Sequence, residues 1–180
     1  MDKEYCIDTS SLISLAKYFS PFDDKRIVSD FFQSHFKNKN FVLLDQVLEE
    51  SKWFSKGLVL ETYPFLRDEN IVPREKNIVA NQRHHNKLDE NWSVSVQKRK
   101  LAEELFEQQK QEYTQKADFQ IIAFCMEFPN SRVAVSEETK SANDGKAFKK
   151  IPSICEQENI QHINLSDLLK KFGFSPTYKF

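Results

Sequence analysis

Short apolar runs separated by helical patterns are the feature of this sequence that most restricts its fold. Four runs have the length and composition of buried strands: EYCID (4–8), FVLL (41–44), RVAV (132–135) and IQHIN (160–164). Strands that alternate with helices and are apolar on both faces form a parallel sheet that is covered on both sides. The sequence therefore predicts an α/β fold with three layers, in which helices cover a mostly parallel sheet of about four to five strands.

The helical patterns between these runs differ in clarity. Those with clear periodicity predict helices at 10–19, capped by Thr9 or Ser10, at 25–36, at 94–116, at 117–128, at 152–159 and at 165–172. A further helix follows the second strand, with Asp45 at its N-cap and Gly57 just past its C-terminus. Residues 57–91 are polar and mixed, and the sequence predicts only short helices there.

Composition and charge limit the classes of protein that the chain can be. With 180 residues, 39% hydrophobic composition and sixteen Phe, it can bury one core, which predicts a single domain over 1–180. A charged helical region is expected at about 68–116. The net charge of -1 gives no general attraction to nucleic acid, so such a ligand would need a local basic patch. No signal segment or membrane-length apolar run is present, and we expect a cytoplasmic protein without membrane contact.

Cysteine and glycine usage exclude two kinds of site. The three cysteines lie singly in apolar segments without C-x-x-C spacing, which predicts buried thiols and neither a disulfide framework nor a zinc site: Cys6, Cys125 and Cys155. A loop that cradles a nucleotide phosphate needs clustered glycines, and the chain has only three, far apart. Glycine-rich nucleotide-binding loops are therefore excluded.

Acidic residues stand where the predicted strands end. Asp8 closes the first strand, Glu49 and Glu50 lie on the helix after the second, Asp118 begins the buried helix, and Glu137 and Glu138 follow the third predicted strand. Ligands of parallel sheets bind just beyond the carboxyl ends of the strands. The sequence therefore predicts an acidic cleft at that edge.

Helical geometry selects between the two adjacent glutamates. At about 100° per residue, Val47 and Leu48 lie on the apolar side of their helix. Glu50 lies at the edge of that side, whereas Glu49 points away from it. Asp118 shares its side of the buried helix with apolar residues, and we expect it to face inward.

A cluster of these acids would need neutralisation. Two carboxylates about 5 Å apart repel by roughly 3 kcal/mol at an effective dielectric near 20. A cluster with only oxygen ligands suits Mg²⁺ or Mn²⁺. The alternative for each acid alone is an ordinary one: a helix cap, a turn residue or part of a solvated face.

The segments around these acids resemble the four acidic motifs of PIN-domain nucleases. They are YCIDTSSLI, a V-x-x-E helix after the second strand, KADFQIIAFCM and VAVSEE, and the ending KIPSICEQENIQHINLSDLLKKFGF is similar to a poorly characterised PIN-like subfamily. The resemblance implies metal binding by Asp8, Glu50, Asp118 and Glu138, with Ser10 and Ser136 beside them. Ser10 replaces the usual Asn of the first motif. The fourth acid is often Asp, and the choice between Glu137 and Glu138 stays open.

By the same resemblance, the expected activity is that of a metal-dependent endoribonuclease. It would hydrolyse RNA in line, leaving a 5′-phosphate and a 3′-hydroxyl, with Ser136 donating a hydrogen bond to a carboxylate or water. Small PIN-like proteins of this kind are commonly toxins of type II toxin–antitoxin pairs, so an antitoxin covering the acidic cleft is an expected partner, and a homodimer is another. The alternatives are a noncatalytic PIN-like interaction module and a metal-dependent DNA nuclease or phosphatase.

Two basic stretches, 72–100 and 139–150, are the predicted contacts for an RNA backbone. The candidate substrate-binding residues are Ser10, Arg83, Lys98, Arg99, Lys140 and Lys146. A solvated helix face and loop is the alternative for both stretches. Trp92 and Phe148 are candidates for stacking on bases, although packing in the core is the stronger expectation for both.

Overall fold

The centre of the protein is an all-parallel sheet of five strands. The computed structural model describes residues 3–23, 25–140 and 145–174. The strands are Glu4–Ile7 (β1), Phe41–Leu44 (β2), Arg74–Glu75 (β3), Arg132–Val135 (β4) and Gln161–Ile163 (β5). Their order in the sheet is β3-β2-β1-β4-β5. The predicted α/β fold with a parallel sheet is confirmed.

Helices flank this sheet. The α-helices are Thr9–Ser14 (α1), Ile27–Lys37 (α2), Asp45–Ser51 (α3), Leu58–Thr62 (α4), Gln82–Glu90 (α5), Ser95–Lys98 (α6), Glu103–Thr114 (α7), Ala117–Glu127 (α8), Ile151–Gln157 (α9) and Leu165–Lys171 (α10). A π-helical turn, Leu15–Phe19, continues α1, and 3-10 turns lie at Ser20–Phe22, Phe54–Gly57 and Pro64–Arg67. No helix of the described residues is both long enough and apolar enough to cross a membrane.

Strand β1 lies in the middle of the sheet and sets the position of its acidic end. Its residue Ile7 is paired with Val135 of β4. The next backbone nitrogen, that of Asp8, donates to the carbonyl oxygen of Val135 at 2.9 Å. The ends of β1 and β4 therefore lie side by side, which brings Asp8 next to the segment that begins at Ser136.

The hydrophobic core confirms several predictions about burial. Helix α8 is buried along almost its whole length, as its apolar sequence predicts. The three cysteines are buried and unpaired. Trp92 and Phe148 lie in the core, with 0% and 6% of their surface exposed, so the expectation of core packing is confirmed for both.

The predicted long helix at 94–116 is wrong. The chain forms α6 and α7 instead, and they are separated by an extended residue, Ala102, with φ −64° and ψ 148°. Helix α6 is held by tertiary contacts: Lys98 Nζ donates to the Asp89 carbonyl oxygen at 2.7 Å and lies 4.5 Å from the centre of the Phe106 ring. Such contacts outweigh the helical preference of the charged residues between the two helices.

Two local predictions also need correction, and a third, of short helices within 57–91, is confirmed but incomplete. Asp8, and neither Thr9 nor Ser10, is the N-cap of α1. Helix α3 ends at Ser51, so Gly57 does not follow its C-terminus; with φ +80° it precedes α4. The polar stretch 57–91 contains the short edge strand β3 as well as helices, because its residues pair with Leu43 and Leu44 of β2.

Candidate active site

Asp8 is the most deeply placed of the predicted acidic residues, with 4% of its surface exposed. As the N-cap of α1, its Oδ2 accepts hydrogen bonds from the Ser10 backbone nitrogen at 3.2 Å and from Ser10 Oγ at 2.5 Å. The same Ser10 Oγ accepts from the backbone nitrogen of Glu137 at 3.0 Å. The Ser10 hydroxyl thus fixes the Asp8 carboxylate and ties the ends of β1 and β4 together.

Glu50 faces the interior of the site, whereas Glu49 is exposed and forms an ion pair with Lys52. The Glu50 Oε1 atom accepts from the Ala117 backbone nitrogen at 2.8 Å, and Oε2 accepts from Thr9 Oγ1 at 3.4 Å. Thr9 belongs to α1 and Ala117 is the first residue of α8. Glu50, which helical geometry favours over Glu49, therefore links α1, α3 and α8 at the carboxyl edge of the sheet.

Asp118 lies in the first turn of α8, partly buried and within electrostatic range of the other acids. Burial, together with the charges of Asp8, Glu138 and Glu50, raises the pKa of Asp118 to about 7, against the opposing charge of Lys146. Burial likewise raises the pKa of Asp8 to about 6, with a contribution from Glu138. Asp118 therefore lies within electrostatic range of the other three predicted acids.

The two glutamates after β4 have different surroundings. Glu137 Oε1 accepts from the backbone nitrogen of Leu165 at 2.7 Å, so its carboxylate lies at the N-terminus of α10. Glu138 Oε2 accepts from the backbone nitrogen of Ile151 at 2.9 Å, at the start of α9. Of these two glutamates, Glu138 is the one whose charge contributes to the raised pKa values of Asp8 and Asp118. Glu138, and not Glu137, is therefore the glutamate that faces Asp8 and Asp118.

The donor chemistry of the cluster fits a hard divalent cation, because every side chain in it offers carboxylate oxygens. No group of three or more His, Cys, Asp or Glu side chains within residues 3–23, 25–140 and 145–174 is already positioned to hold a metal ion. Glu50 and Glu138 each give one oxygen to a backbone nitrogen, of Ala117 and Ile151 respectively. Joint coordination by all four carboxylates would require rearrangement of these side chains.

Ser136 makes a contact that the sequence did not indicate. Its side chain is completely buried, and Ser136 Oγ lies 2.9 Å from His162 Nε2 on β5. The hydroxyl donates to the ring or accepts from it, depending on the His162 tautomer. Burial lowers the pKa of His162, which favours the neutral ring. This pair connects β4 to β5 beneath the acidic cluster.

The predicted RNA-binding residues are not gathered into one surface by the contacts of the described residues. Lys98 is held by Asp89, and Lys140 forms an exposed ion pair with Glu156 at 2.8 Å. Arg83 and Arg99 are exposed on α5 and just after α6. Lys146 alone among these basic residues is seen to act on a carboxylate of the cluster, since its charge lowers the pKa of Asp118.

A cleft with a volume of about 330 Å³ opens beside Asp118. Its lining combines α7, the start of α8 and the segment before α9: Gln109, Glu112, Tyr113, Lys116, Asp118, Gly145, Lys146, Ala147, Phe148, Lys149 and Lys150. The Tyr113 hydroxyl is buried and has no hydrogen-bond partner among the described residues. Burial, together with the charges of Asp118 and Glu138, raises the pKa of Tyr113. The sequence indicated the basic stretch 139–150 and Lys146, but not the residues of α7 and the start of α8 that complete the lining.

Comparison with known protein families gives one match over most of the chain. The model of a domain of unknown function, DUF4411, matches residues 5–175. The matched range contains all four carboxylates and every residue that lines the cleft. No curated protein matches the chain.

Proposed function

Since the chain belongs to the DUF4411 family, a domain of unknown function, we propose from its own site that it is a metal-dependent endoribonuclease of the PIN-like class. One observation carries the proposal. Four carboxylates from four separate segments of the chain converge at the carboxyl edge of a parallel sheet, and two of them have pKa values raised by burial and by their neighbours. A fold keeps such mutually repelling groups together at a cost in stability, which a bound cation would offset.

The order of the acids along the chain supports the PIN-like assignment. Asp8 follows β1, Glu50 lies on the helix after β2, Asp118 begins α8, and Glu138 follows β4. The four acidic motifs of PIN-domain nucleases, which these segments resemble, follow one another in the same order. The resemblance also supports RNA as the substrate and Mg²⁺ or Mn²⁺ as the cofactor.

In the proposed reaction, Asp8, Glu50, Asp118 and Glu138 would hold one or two divalent cations. Bound there, the cations would supply positive charge at the phosphodiester and would lower the pKa of the attacking water. Ser10 keeps the Asp8 carboxylate in place through two hydrogen bonds, and this preorganisation limits its movement during the reaction. Attack is in line and leaves a 5′-phosphate and a 3′-hydroxyl. Ser136 acts indirectly, by holding β4 against His162.

We further propose a cytoplasmic role as the toxin of a type II toxin–antitoxin pair, with RNA as its target. The support is the PIN-like resemblance together with exposed aromatic side chains that follow α3. Trp53 and Phe54 are 80% and 55% exposed, three and four residues after Glu50. Exposed apolar side chains of this size are typical of surfaces that bind another protein. A partner protein that covers them could also cover the acidic cleft.

A noncatalytic PIN-like interaction module is the second candidate function. It is favoured by the contacts of Glu50 and Glu138, whose carboxylates already bond to the first backbone nitrogens of α8 and α9. In a noncatalytic protein these acids would serve as helix caps and need no cation.

The decisive experiment is incubation of the purified protein with a mixed RNA pool and Mn²⁺ or Mg²⁺, beside Asp8→Asn and Asp118→Asn variants. The proposed nuclease cuts RNA only with the cation, leaves 5′-phosphate ends, and loses this activity in both variants. Absence of cutting in the wild-type protein, with a melting temperature that no divalent cation alters, would support the interaction module. A DNA pool and a phosphomonoester in parallel reactions test the remaining alternatives.

A further inference from the structure

Beside Asp118, the cleft is lined by Tyr113, whose buried hydroxyl has no hydrogen-bond partner in the part of the chain that the structure describes. Tyr113 is 5% exposed, and its hydroxyl oxygen is screened from solvent and accepts or donates no hydrogen bond among the described residues. A buried polar group without a partner costs about 1–3 kcal/mol, so native structures rarely keep one without a use. Phenol hydroxyls ordinarily titrate near pH 10 and are hydrogen-bond donors at neutral pH.

The position of this hydroxyl is fixed by aromatic packing. The Tyr113 ring stacks on Phe148, with 4.6 Å between ring centroids and 28° between planes, and meets the edge of Phe119 at 6.3 Å. Phe148 is itself anchored by a bridge to Ser93. Because the ring has little freedom to turn, its hydroxyl keeps one place at the floor of the cleft.

Basic side chains line the same cleft. Lys116 lines it at the start of α8, and Lys146, Lys149 and Lys150 line it in the segment before α9. The Lys149 Nζ atom donates to the Asn91 carbonyl oxygen at 2.7 Å. The carboxylates that they face in the lining are those of Glu112 and Asp118. A group of lysines around a neutral donor suits a phosphate, which accepts hydrogen bonds and carries negative charge.

We propose that this cleft is a phosphate-binding subsite for a single-stranded RNA, in which Tyr113 donates a hydrogen bond to a phosphate next to the one that is cut. The inference rests on the proposed function and adds the direction in which the substrate leaves the acidic cluster, past Asp118 and along α7. Lys116 and Lys146 are exposed at the rim, and binding requires these side chains to move aside so that the phosphate reaches the hydroxyl. The cleft thus makes the enzyme require a strand with more than one phosphate.

The test measures binding separately from cleavage. A fluorescent single-stranded RNA hexamer is titrated against the metal-free protein in EDTA, where it stays intact, and the dissociation constant is read from anisotropy. Tyr113→Phe should raise the dissociation constant by about tenfold, the loss of one hydrogen bond to a charged group. Its melting temperature should be unchanged or higher, because the variant removes a hydroxyl that has no partner. Lys116→Gln should raise the dissociation constant and lessen its dependence on salt.

Tyr63→Phe is the matched control. Tyr63 is also buried, at 2% exposure, but its hydroxyl donates to the carbonyl oxygen of Leu15 at 3.4 Å, away from the cleft. This variant should lower the melting temperature and leave RNA binding unchanged. The reverse pattern, destabilisation by Tyr113→Phe with unchanged binding, would overturn the subsite.

Two further results separate this inference from the proposed nuclease. If Tyr113→Phe and Lys116→Gln bind the hexamer as the wild type does and RNA cleavage persists, the subsite is overturned and the proposed nuclease activity is still supported. Tyr113-dependent binding without any cleavage would support the subsite and count against the nuclease. A hexaglutamate peptide that binds the cleft as tightly as the RNA would overturn it in favour of an acidic protein segment.

Discussion

The Glu50 carboxylate accepts a hydrogen bond of 2.8 Å from the backbone nitrogen of Ala117, 67 positions further along the chain. Ala117 opens α8, and its neighbour Asp118 belongs to the same acidic cluster. A charged acceptor at the N-terminus of a helix is favoured by the helix dipole. One glutamate therefore holds α8 in place and also sets the distance between two of the acids.

Replacement of Glu50 should cost more stability than replacement of its neighbour. Glu50→Ala leaves the Ala117 nitrogen without its acceptor, and we expect the free energy of unfolding to fall by about 1–3 kcal/mol. Glu50→Gln keeps an acceptor oxygen and should cost less. Glu49→Ala, on the exposed face, should stay within about 0.5 kcal/mol of the wild type. Urea denaturation measures all three, and an equal loss for Glu49→Ala and Glu50→Ala would contradict the assignment.

The stability of the metal-free protein should depend on the ionisation of Asp118. Its pKa is about 7 in the folded protein against a usual value of 3.8, so protonation favours the folded state. The resulting stability is complete below about pH 4 and is lost as the pH rises through about 7. Asp118→Asn has no such loss and should melt a few degrees higher than the wild type at pH 8, with a smaller difference at pH 4.

Thermal denaturation in EDTA across this pH range measures the effect. Asp30→Asn, at an exposed position of α2, is the matched control and should show no comparable pH-dependent gain. If the melting temperature of Asp118→Asn lies below that of the wild type by the same amount at every pH, the carboxylate has a structural role instead.

Divalent cations should stabilise the wild-type protein through the acidic cluster. At a concentration of Mn²⁺ or Mg²⁺ about 100 times the dissociation constant, we expect a gain of about 2.7 kcal/mol. This should raise the melting temperature by several degrees. Asp8→Asn should abolish the gain, whereas Glu49→Gln should retain it. An equal cation effect in both variants would locate the binding elsewhere.

Ser136 should matter for stability more than for chemistry. Ser136→Ala removes the buried partner of His162 Nε2, and we expect a loss of about 1–3 kcal/mol in the free energy of unfolding. RNA cleavage, measured below the melting transition, should change only a few-fold. Loss of cleavage comparable to that of Asp8→Asn would instead give Ser136 a direct role at the phosphate.

The sequence predicts most of the fold because its signals are local. The apolar runs of β1, β2 and β4 and the apolar pattern of α8 were each visible within about ten residues. The choice of Glu50 over Glu49 also needed only the geometry of one helix. Buried parallel sheets and helices depend on such patterns, and here pattern and tertiary structure agree.

The remaining features depend on contacts between distant residues. The break between α6 and α7 follows from Lys98 meeting Asp89 and Phe106, which no helical pattern records. The contact between Ser136 and His162 joins the end of β4 to the neighbouring strand β5. That the Tyr113 hydroxyl has no hydrogen-bond partner within residues 3–23, 25–140 and 145–174 depends on the side chains packed around it in the folded protein.

The bond between Ser10 and Glu137 spans 127 positions, and this separation has a consequence during synthesis. A ribosome that adds about 5–20 residues per second needs on the order of ten seconds to make the chain between them. Glu137 also bonds to Leu165, so the acidic edge is complete only after the last strand has emerged. The acidic edge therefore cannot form on the nascent chain until Leu165 has been synthesised.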